Sequence, residues 1–402
     1  MTDTWYRLFH RFCSWLYFAR VTVIHPERLP RAGPALYLGL HRNGAVDGFV
    51  YHSLRPRATF LISTQLRKNP LGRLFFRGIE VVRNKDEGDR SVNTAALQQC
   101  VEHLKNGGEL FVFPEGTSSL GPKHLPFKSG AAQLLLDYLA SGGGPVQVVP
   151  LGIHYECPWG FRSKVEVVIG GPVSIMPPES ASPLGRLKEI KRRMQTALEA
   201  VGVNVESAEY QDTIQRLAYV ATLATRRSYF QTLKSLEHAI PENVLAAWNA
   251  LEPEIASRNL CRHQGVPLFP MGPLGLYALA LGVLAPFVGT AVLLNLPPFL
   301  AAGWAGNKFP DDRNVISLWR TLVGMPLLIL WVLLLAVLAV GLGKLVWLAA
   351  FGLVTLAGLK LYYRVKKLAV AVYNGWRHPG LRARMLAFRE LVLQELPDEP
   401  AR

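Results

Sequence analysis

Residues 109–144 read ELFVFPEGTSSLGPKHLPFKSGAAQLLLDYLASGGG. The stretch divides into three. ELFVF (109–113) is a short apolar run that halts at Pro114, as a buried strand does. Glu115-Gly116-Thr117-Ser118-Ser119 is a turn of small and polar residues. KSGAAQLLLDYLA then has a small-residue start and a glycine stop at 142–144, the marks of a helix. The same alternation holds from residue 20 to 175. Strand-like runs are RVTVIH (20–25), ALYLGL (35–40), ATFLIS (58–63), IEVVR (79–83), VQVVPLGI (146–153) and VEVVIGG (165–171). Between them SVNTAALQQCVEHLKNGG offers Ser91 as a helix N-cap and Gly107 as its end. Strands alternating with helices predict an α/β sandwich.

The rest of the chain has a different grain. It has 402 residues, is half apolar and carries a formal net charge of +15. A basic balance suits a phosphate-rich partner: nucleic acid, an anionic membrane surface or a phosphorylated substrate. The spread of apolar residues decides among these. No charge occurs between Leu274 and Leu294, and only Lys344 between Thr321 and Leu359. A helix needs about 20 apolar residues to span a bilayer, so these runs favour a membrane and argue against a nucleic-acid partner.

The expected organisation is an amphipathic membrane-associating helix at 1–19, an α/β domain at 20–180 and a helical extension at 181–270. A re-entrant or transmembrane segment at 271–304, a transmembrane hairpin at 319–363 and a basic cytosolic tail with a helix at 364–402 complete it. Arg320 flanks one end of the hairpin, and Lys360, Arg364, Lys366 and Lys367 the other, which places both on the cytosolic side. Pro286, Asn295, Pro297 and Pro298 break the first run, favouring a re-entrant path. The N-terminal apolar residues are interrupted by Arg7, His10, Arg11 and Arg20, so they do not read as a signal peptide. Trp5, Phe9, Phe12, Leu16 and Phe18 are expected to face lipid or the core. The four cysteines have no clip spacing and read as reduced, non-ligand residues.

Four places could carry chemistry. LGLHRNGAVDGF (38–49) brings His41 out of a strand and Asp47 six positions later. A carboxylate on the second nitrogen of a histidine fixes its tautomer and stabilises the imidazolium. On a helix, positions six apart are rotated by about 240°, so the pair can meet only if the chain turns at Asn43–Gly44. The small residues after Glu115 let backbone N–H groups point at an anion, and the Glu115 carboxylate could accept from a substrate hydroxyl. Lys128 precedes a helix start, a plausible phosphate site. Arg83 ends a strand and can bind phosphate in a bidentate manner. Each also has a plainer reading: two polar residues in a loop, a strand-to-loop turn, a capped helix, a solvated arginine. The ten histidines show no paired ligand spacing, so no metal is expected. No G-x-S-x-G nucleophile elbow is present.

Taken in order, the chain shows a strand ending in H…D, then G-I-E-V-V-R, F-P-E-G-T-S-S, F-K-S-G-A and V-V-P-L-G-I. Over about residues 20–175 this resembles the glycerolipid acyltransferase family, which acylates glycerol-3-phosphate, lysophosphatidate and related lysophospholipids. The resemblance implies a mixed sheet flanked by helices. It implies His41 as general base and Asp47 as the residue that orients it. It implies Arg83 as a ligand of the acceptor phosphate, and Glu115 and Gly116 as shaping the acceptor pocket beside Thr117. It ties the segment around Pro150 to the acyl donor and the core. No cofactor is implied; acyl-CoA or acyl-carrier protein is the co-substrate, a phosphorylated glycerol the acceptor, membrane lipid the surroundings. The catalytic domain would lie on the cytoplasmic side, of the plasma membrane in a bacterium.

Two departures mark this chain. Most of the family has four residues between His and Asp; here there are five, as in a subgroup resembling fungal-type glycerol-3-phosphate acyltransferases. That favours glycerol-3-phosphate over a lysophospholipid as acceptor. The arginine that usually follows F-P-E-G-T is Ser118 here, which leaves Lys128, Lys123 or Arg42 to supply its charge, Lys128 foremost. A non-catalytic lipid-binding protein of the same fold is the alternative from another class.

Overall fold

The computed structural model describes residues 3–68, 70–83, 91–176 and 182–396. Helix α1 (Asp3–Tyr17) leads into strands β1 (Arg20–Ile24), β2 (Ala35–Gly39), β3 (Thr59–Ser63), β4 (Ile79–Val81), β5 (Glu109–Val112), β6 (Gln147–Tyr155) and β7 (Lys164–Ile169). They form one seven-stranded sheet in the order β1-β7-β6-β2-β5-β3-β4. Only β6 and β7 pair antiparallel, Leu151 opposite Ile169, so the sheet is mixed. Five of the strands fall within runs read from the sequence; β6 runs two residues past its run, to Tyr155, and β7 starts one residue before its run, at Lys164.

The helices around the sheet are α2 (Val46–Leu54), α3 (Pro70–Phe75), α4 (Val92–Lys105), α5 (Gly130–Ala140) and α6 (Pro183–Ala200). One sheet face packs against α1 and α2 through Phe9, Tyr17, Phe49 and Val50. The other packs against α4, α5 and α6 through Cys100, Leu134, Ile190 and Leu198. Helix α6, expected in the helical extension, thus covers the sheet. Ile190, Met194 and Leu198 recur every four residues and are all buried, an apolar stripe that needs a partner surface.

Helices α7 (Ala208–Ala221), α8 (Tyr229–Ser235) and α9 (Glu242–Ser257) make a separate core with the last helix. Four apolar-rich helices follow α9: α10 (Leu274–Leu294), α11 (Leu296–Lys308), α12 (Ile316–Gly341) and α13 (Leu345–Arg377). Among the described residues, Leu274–Leu294, Arg313–Gly341 and Leu345–Arg377 are long and apolar enough to cross a membrane, by length and composition.

Helix α10 lies antiparallel to α13. A Cβ on Gly358 would sit 2.2 Å from the Ala291 methyl, and one on Gly375 would press on Pro270 and Leu274. Helix α11 lies antiparallel to α12, with Gly324 against Ala302 and Gly306 against Arg320. Helices α10 and α11 are therefore the arms of a bent hairpin with its apex at Asn295, whose Nδ2 donates to Thr355 Oγ1 at 2.9 Å. Both open ends of this hairpin lie toward the α/β domain and the helical extension. Arg320 Nη1 there donates to Trp159 O, and Arg382 donates to Pro270 O and Gly272 O. The turn between α12 and α13 at 342–344 is at the far end.

The expected tail from 364 is not a separate piece. Helix α13 continues without a break to Arg377, and α14 (Pro379–Glu395) folds back onto the extension with Leu381, Met385, Phe388 and Val392 buried. Residues 397–402 lie outside the described residues.

Candidate active site

Parallel strands that lie side by side release their loops at one edge, where α/β proteins build sites. Strands β2 and β5 are neighbours, Leu38 opposite Val112. The chain leaves β2 at Gly39 and reaches His41; it leaves β5 at Val112 and reaches Glu115. Arg83 follows β4 at the same edge. Ser119 N–H donates to His41 O at 3.0 Å and binds the two loops together.

The turn required between His41 and Asp47 is present. Gly44 has φ +53, a left-handed conformation that glycine adopts without strain. Asp47 N–H then donates to Gly44 O, and α2 starts at Val46. This brings Asp47 Oδ2 within 2.9 Å of His41 Nδ1. The same oxygen accepts from the backbone N–H of Arg42 at 2.6 Å and of Asn43 at 2.8 Å. Tyr155 Oη donates to Oδ1 at 2.5 Å. Asp47 is fully buried. An isolated carboxylate there would cost several kcal/mol, but four donors and the positive end of α2 hold it. Burial and the neighbouring Asp47 charge push the Tyr155 phenol well above its ordinary range, so it stays a donor. His41 stacks on Phe113 with ring centroids 4.1 Å apart. Its Nε2 has no hydrogen-bond partner among the described residues.

That ring borders a cavity of about 320 Å³. Arg83, Gly116, Thr117 and Ser118 line part of it; Phe60, Leu66, Phe76 and Phe113 make an apolar stretch. Two further walls come from outside the sheet: Tyr6 and His10 of α1, and Val315 and Leu318 at the start of α12. The structure thus gathers His41, Arg83, Gly116 and Thr117 around one space, with Asp47 behind His41.

Three expected site residues sit differently. Glu115 does not line the cavity. It is 1% exposed, and its two oxygens accept from the backbone N–H of His41 at 2.9 Å and of Leu125 at 3.2 Å. Burial raises its carboxyl, opposed by those two amides and by Arg42. Both oxygens are thus engaged by backbone amides, one of them that of His41. Pro150 is buried inside β6 opposite Leu38, and its carbonyl accepts from Gly170 N–H at 2.9 Å. It lies in the sheet and not on the cavity wall. Arg42 turns away: Nη2 donates to Gly121 O at 2.8 Å, beside His124 and His154 at a separate small cavity. Burial lowers its pKa, with Glu115 and Asp47 countering.

Lys128 is placed otherwise. Gly116 has φ +69, and a Cβ there would lie 2.5 Å from Lys128 Nζ. The glycine lets the exposed ammonium rest against the F-P-E-G-T turn. Lys123 is exposed. Ser118 is engaged by the segment before α12: Asn314 Nδ2 donates to Ser118 O at 3.0 Å and lies 3.2 Å from its Oγ.

Tyr155, Asn314 and Ser317 are absent from the sequence reading. Ser317 Oγ lies 3.1 Å from Asn43 Oδ1 and 2.7 Å from Pro158 O. Tyr155 closes a strand and Ser317 opens an apolar helix, more than 100 and 270 residues from their partners. Nothing local in the sequence marks either one.

Comparison with known proteins bears on this site. Residues 20–154 match the family model described as acyltransferase. Glycerol-3-phosphate O-acyltransferase 2 of Saccharomyces cerevisiae is 37% identical over 84 residues, covering 21% of this chain and 11% of that protein. A 1-acyl-sn-glycerol-3-phosphate acyltransferase of Chlamydomonas reinhardtii is 30% identical over 135 residues, covering 33% and 38%. The chain therefore spans well under half the length of these relatives. The crystal structure of the 1-acyl-sn-glycerophosphate acyltransferase PlsC from Thermotoga maritima aligns with a TM-score of 0.36 at 24% identity, over 50% of this chain and 78% of that one.

Proposed function

We propose, from the premise that residues 20–154 form an acyltransferase-family domain, that this chain moves a fatty acyl group from an acyl thioester to a hydroxyl of glycerol-3-phosphate. The single observation that carries the reading is the His41–Asp47 pair. Asp47 holds Nδ1, and Nε2 is left without a partner among the described residues, on a ring that borders a cavity with a cationic and an apolar part.

The chemistry follows from that geometry. His41 Nε2 takes the proton of the acceptor hydroxyl as its oxygen attacks the thioester carbonyl. Asp47 stabilises the imidazolium that forms. The tetrahedral intermediate collapses, the carbon–sulfur bond breaks, and the imidazolium returns the proton to the departing thiolate. Ester and thiol are the products, and His41 is restored. Arg83 and Lys128 supply positive charge for the acceptor phosphate; the Phe60–Phe76–Phe113 stretch takes the acyl chain. Acyl-CoA or acyl-carrier protein serves as donor.

A lipid product suits a membrane-bound enzyme. Helix α1 buries Phe9, Cys13 and Tyr17 and leaves Trp5, Leu8, Phe12 and Trp15 exposed. Spaced three and four apart, these four make a second apolar stripe, which we place in the bilayer interface beside the hairpins, the catalytic domain facing the cytoplasm. The α10–α11 hairpin, bent at Asn295, enters and leaves on one side. The second reading, a lysophosphatidate or other lysophospholipid acceptor, is favoured by the Chlamydomonas relative's name.

Purified protein given acyl-CoA with a panel of acceptors separates the two. Transfer to glycerol-3-phosphate at least tenfold above lysophospholipids is expected. The reverse order assigns the second reading, and no transfer to any acceptor, with acyl-carrier protein as donor too, leaves the non-catalytic alternative.

A further inference from the structure

Between the two apolar hairpins and the α/β domain lies another cavity, of about 510 Å³. It shares no lining residue with the one at His41. Helices α10–α13 form most of it, and α1 and the 157–161 loop close one end. The wall is mainly apolar, with Val288, Phe299, Met325, Leu328 and Leu359 in it.

Two cations interrupt that wall, Arg320 and Lys366, and no Asp or Glu lines it among the described residues. Both are at the end closed by the loop. Arg320 Nη1 donates to Trp159 O at 2.7 Å, while its Nε is buried without a partner among the described residues. Lys366 is one turn from Tyr362, which packs edge-on against Phe161. It makes no hydrogen bond or ion pair with a described residue. The cavity extends away from them to Leu328 and Thr355, eight and eleven residues along their helices, or about 12 and 16 Å at 1.5 Å per residue.

Arg320 is half-buried and Lys366 exposed, both near the ends of the apolar runs, where long basic side chains reach the interface and can meet a lipid phosphate. The cavity wall offers them no carboxylate among the described residues, and its length suits a hydrocarbon chain. A chain gains little on passing from bilayer to an apolar cavity, because lipid tails are as apolar as its walls. Selectivity must then come from the charged end. We propose that this cavity is a binding site for one glycerolipid, with an acyl chain between the hairpins and its phosphate between Arg320 and Lys366. One stripe running into α12 serves both cavities: Val315, just before the helix, and Leu318 face the first, Thr321 and Met325 the second. The lipid therefore sits one to two helical turns from the catalytic chamber. The proposal does not depend on acyl transfer, and its test is done without acyl donor.

The phosphate can belong to a lysophosphatidate or to a diacyl phosphatidate of the bilayer. Full-length protein, delipidated in detergent, is offered lysophosphatidate, phosphatidate, monoacylglycerol and diacylglycerol in competition, and bound lipid is read by native mass spectrometry. One phosphate-bearing lipid per chain is expected, retained at least tenfold over its phosphate-free counterpart; whichever of the two phosphate-bearing lipids wins identifies the source. Lys366→Gln should cut that preference at least tenfold and Lys366→Arg should retain it. Gly303→Leu, at a lining position with open space around it, should reduce occupancy. Equal retention of phosphate-free lipids by the wild-type protein overturns the proposal, as does a preference unchanged in a folded Lys366→Gln protein.

Discussion

The strand-end site and the apolar hairpins are held together by opposite means. At the site, the buried carboxylates are held by hydrogen-bond donors: Asp47 meets four, three on Oδ2 and one on Oδ1, and Glu115 meets two backbone amides. In the hairpins the close contacts are between small side chains, Gly358 on Ala291 and Gly324 on Ala302, with Asn295–Thr355 a polar exception. A buried carboxylate is stable only when it is hydrogen-bonded or paired, whereas helices in lipid associate by fitting small residues closely. The first arrangement should fail when a charge or donor is removed, the second when a methyl group is added.

The largest of these failures is expected in Asp47→Asn. The amide keeps the shape but loses the charge that stabilises the imidazolium. Turnover should fall by about 10²–10³-fold with little change in thermal stability; steady-state kinetics and a melting curve on the same sample check both. Next comes Gly358→Leu, which must push α10 from α13. Overpacking of this kind costs about 1–3 kcal/mol, so the melting temperature should drop. Gly352→Leu, with nothing within 4 Å, should not change it. Equal melting for the pair would mean that α10 and α13 do not fit as described.

A smaller effect separates position from charge. Tyr155→Phe removes one donor to Asp47 and leaves the carboxylate. A hydrogen bond to a charged group is worth about 1.5–3 kcal/mol, so turnover should fall about tenfold or somewhat more, with acceptor KM unmoved. A KM change without a turnover change would assign Tyr155 to binding.

The smallest effect concerns α1. His10 and His52 pack together under it, and His10 Nε2 lies 2.8 Å from Phe75 O. Burial brings His10 down to about 3 and His52 to about 4 from 6.5. Below pH 6.5 the undocked state then binds more protons than the docked one, so stability falls with pH and levels off only near 3–4. Hydrogen exchange in α1, corrected for intrinsic rate, should be faster at pH 5 than at pH 7.5. His10→Gln should flatten that difference.

The same contrast explains what was legible in the sequence. The strands could be read because β-branched runs bounded by Gly and Pro have a local cause. His41 and Asp47 could be read because a turn at Asn43–Gly44 is also local. Tyr155, Asn314 and Ser317 could not, since their roles exist only through contacts more than 100 residues distant. Glu115 was visible, but its direction was not: a carboxylate in a loop looks alike whether it faces substrate or two amides. In 274–359 composition revealed apolar helices, but a residue facing lipid and one facing another helix look the same. The partners of α10 and α11 therefore come only from the structure.

The central claim is that His41 is the general base of acyl transfer. Rapid-quench single-turnover transfer from acyl-CoA to glycerol-3-phosphate by wild-type protein and His41→Ala, matched for folding by melting temperature, tests it most directly. The account predicts a chemical step slowed by about 10³-fold or more in the variant. Transfer within tenfold of wild type in a folded His41→Ala protein would contradict it.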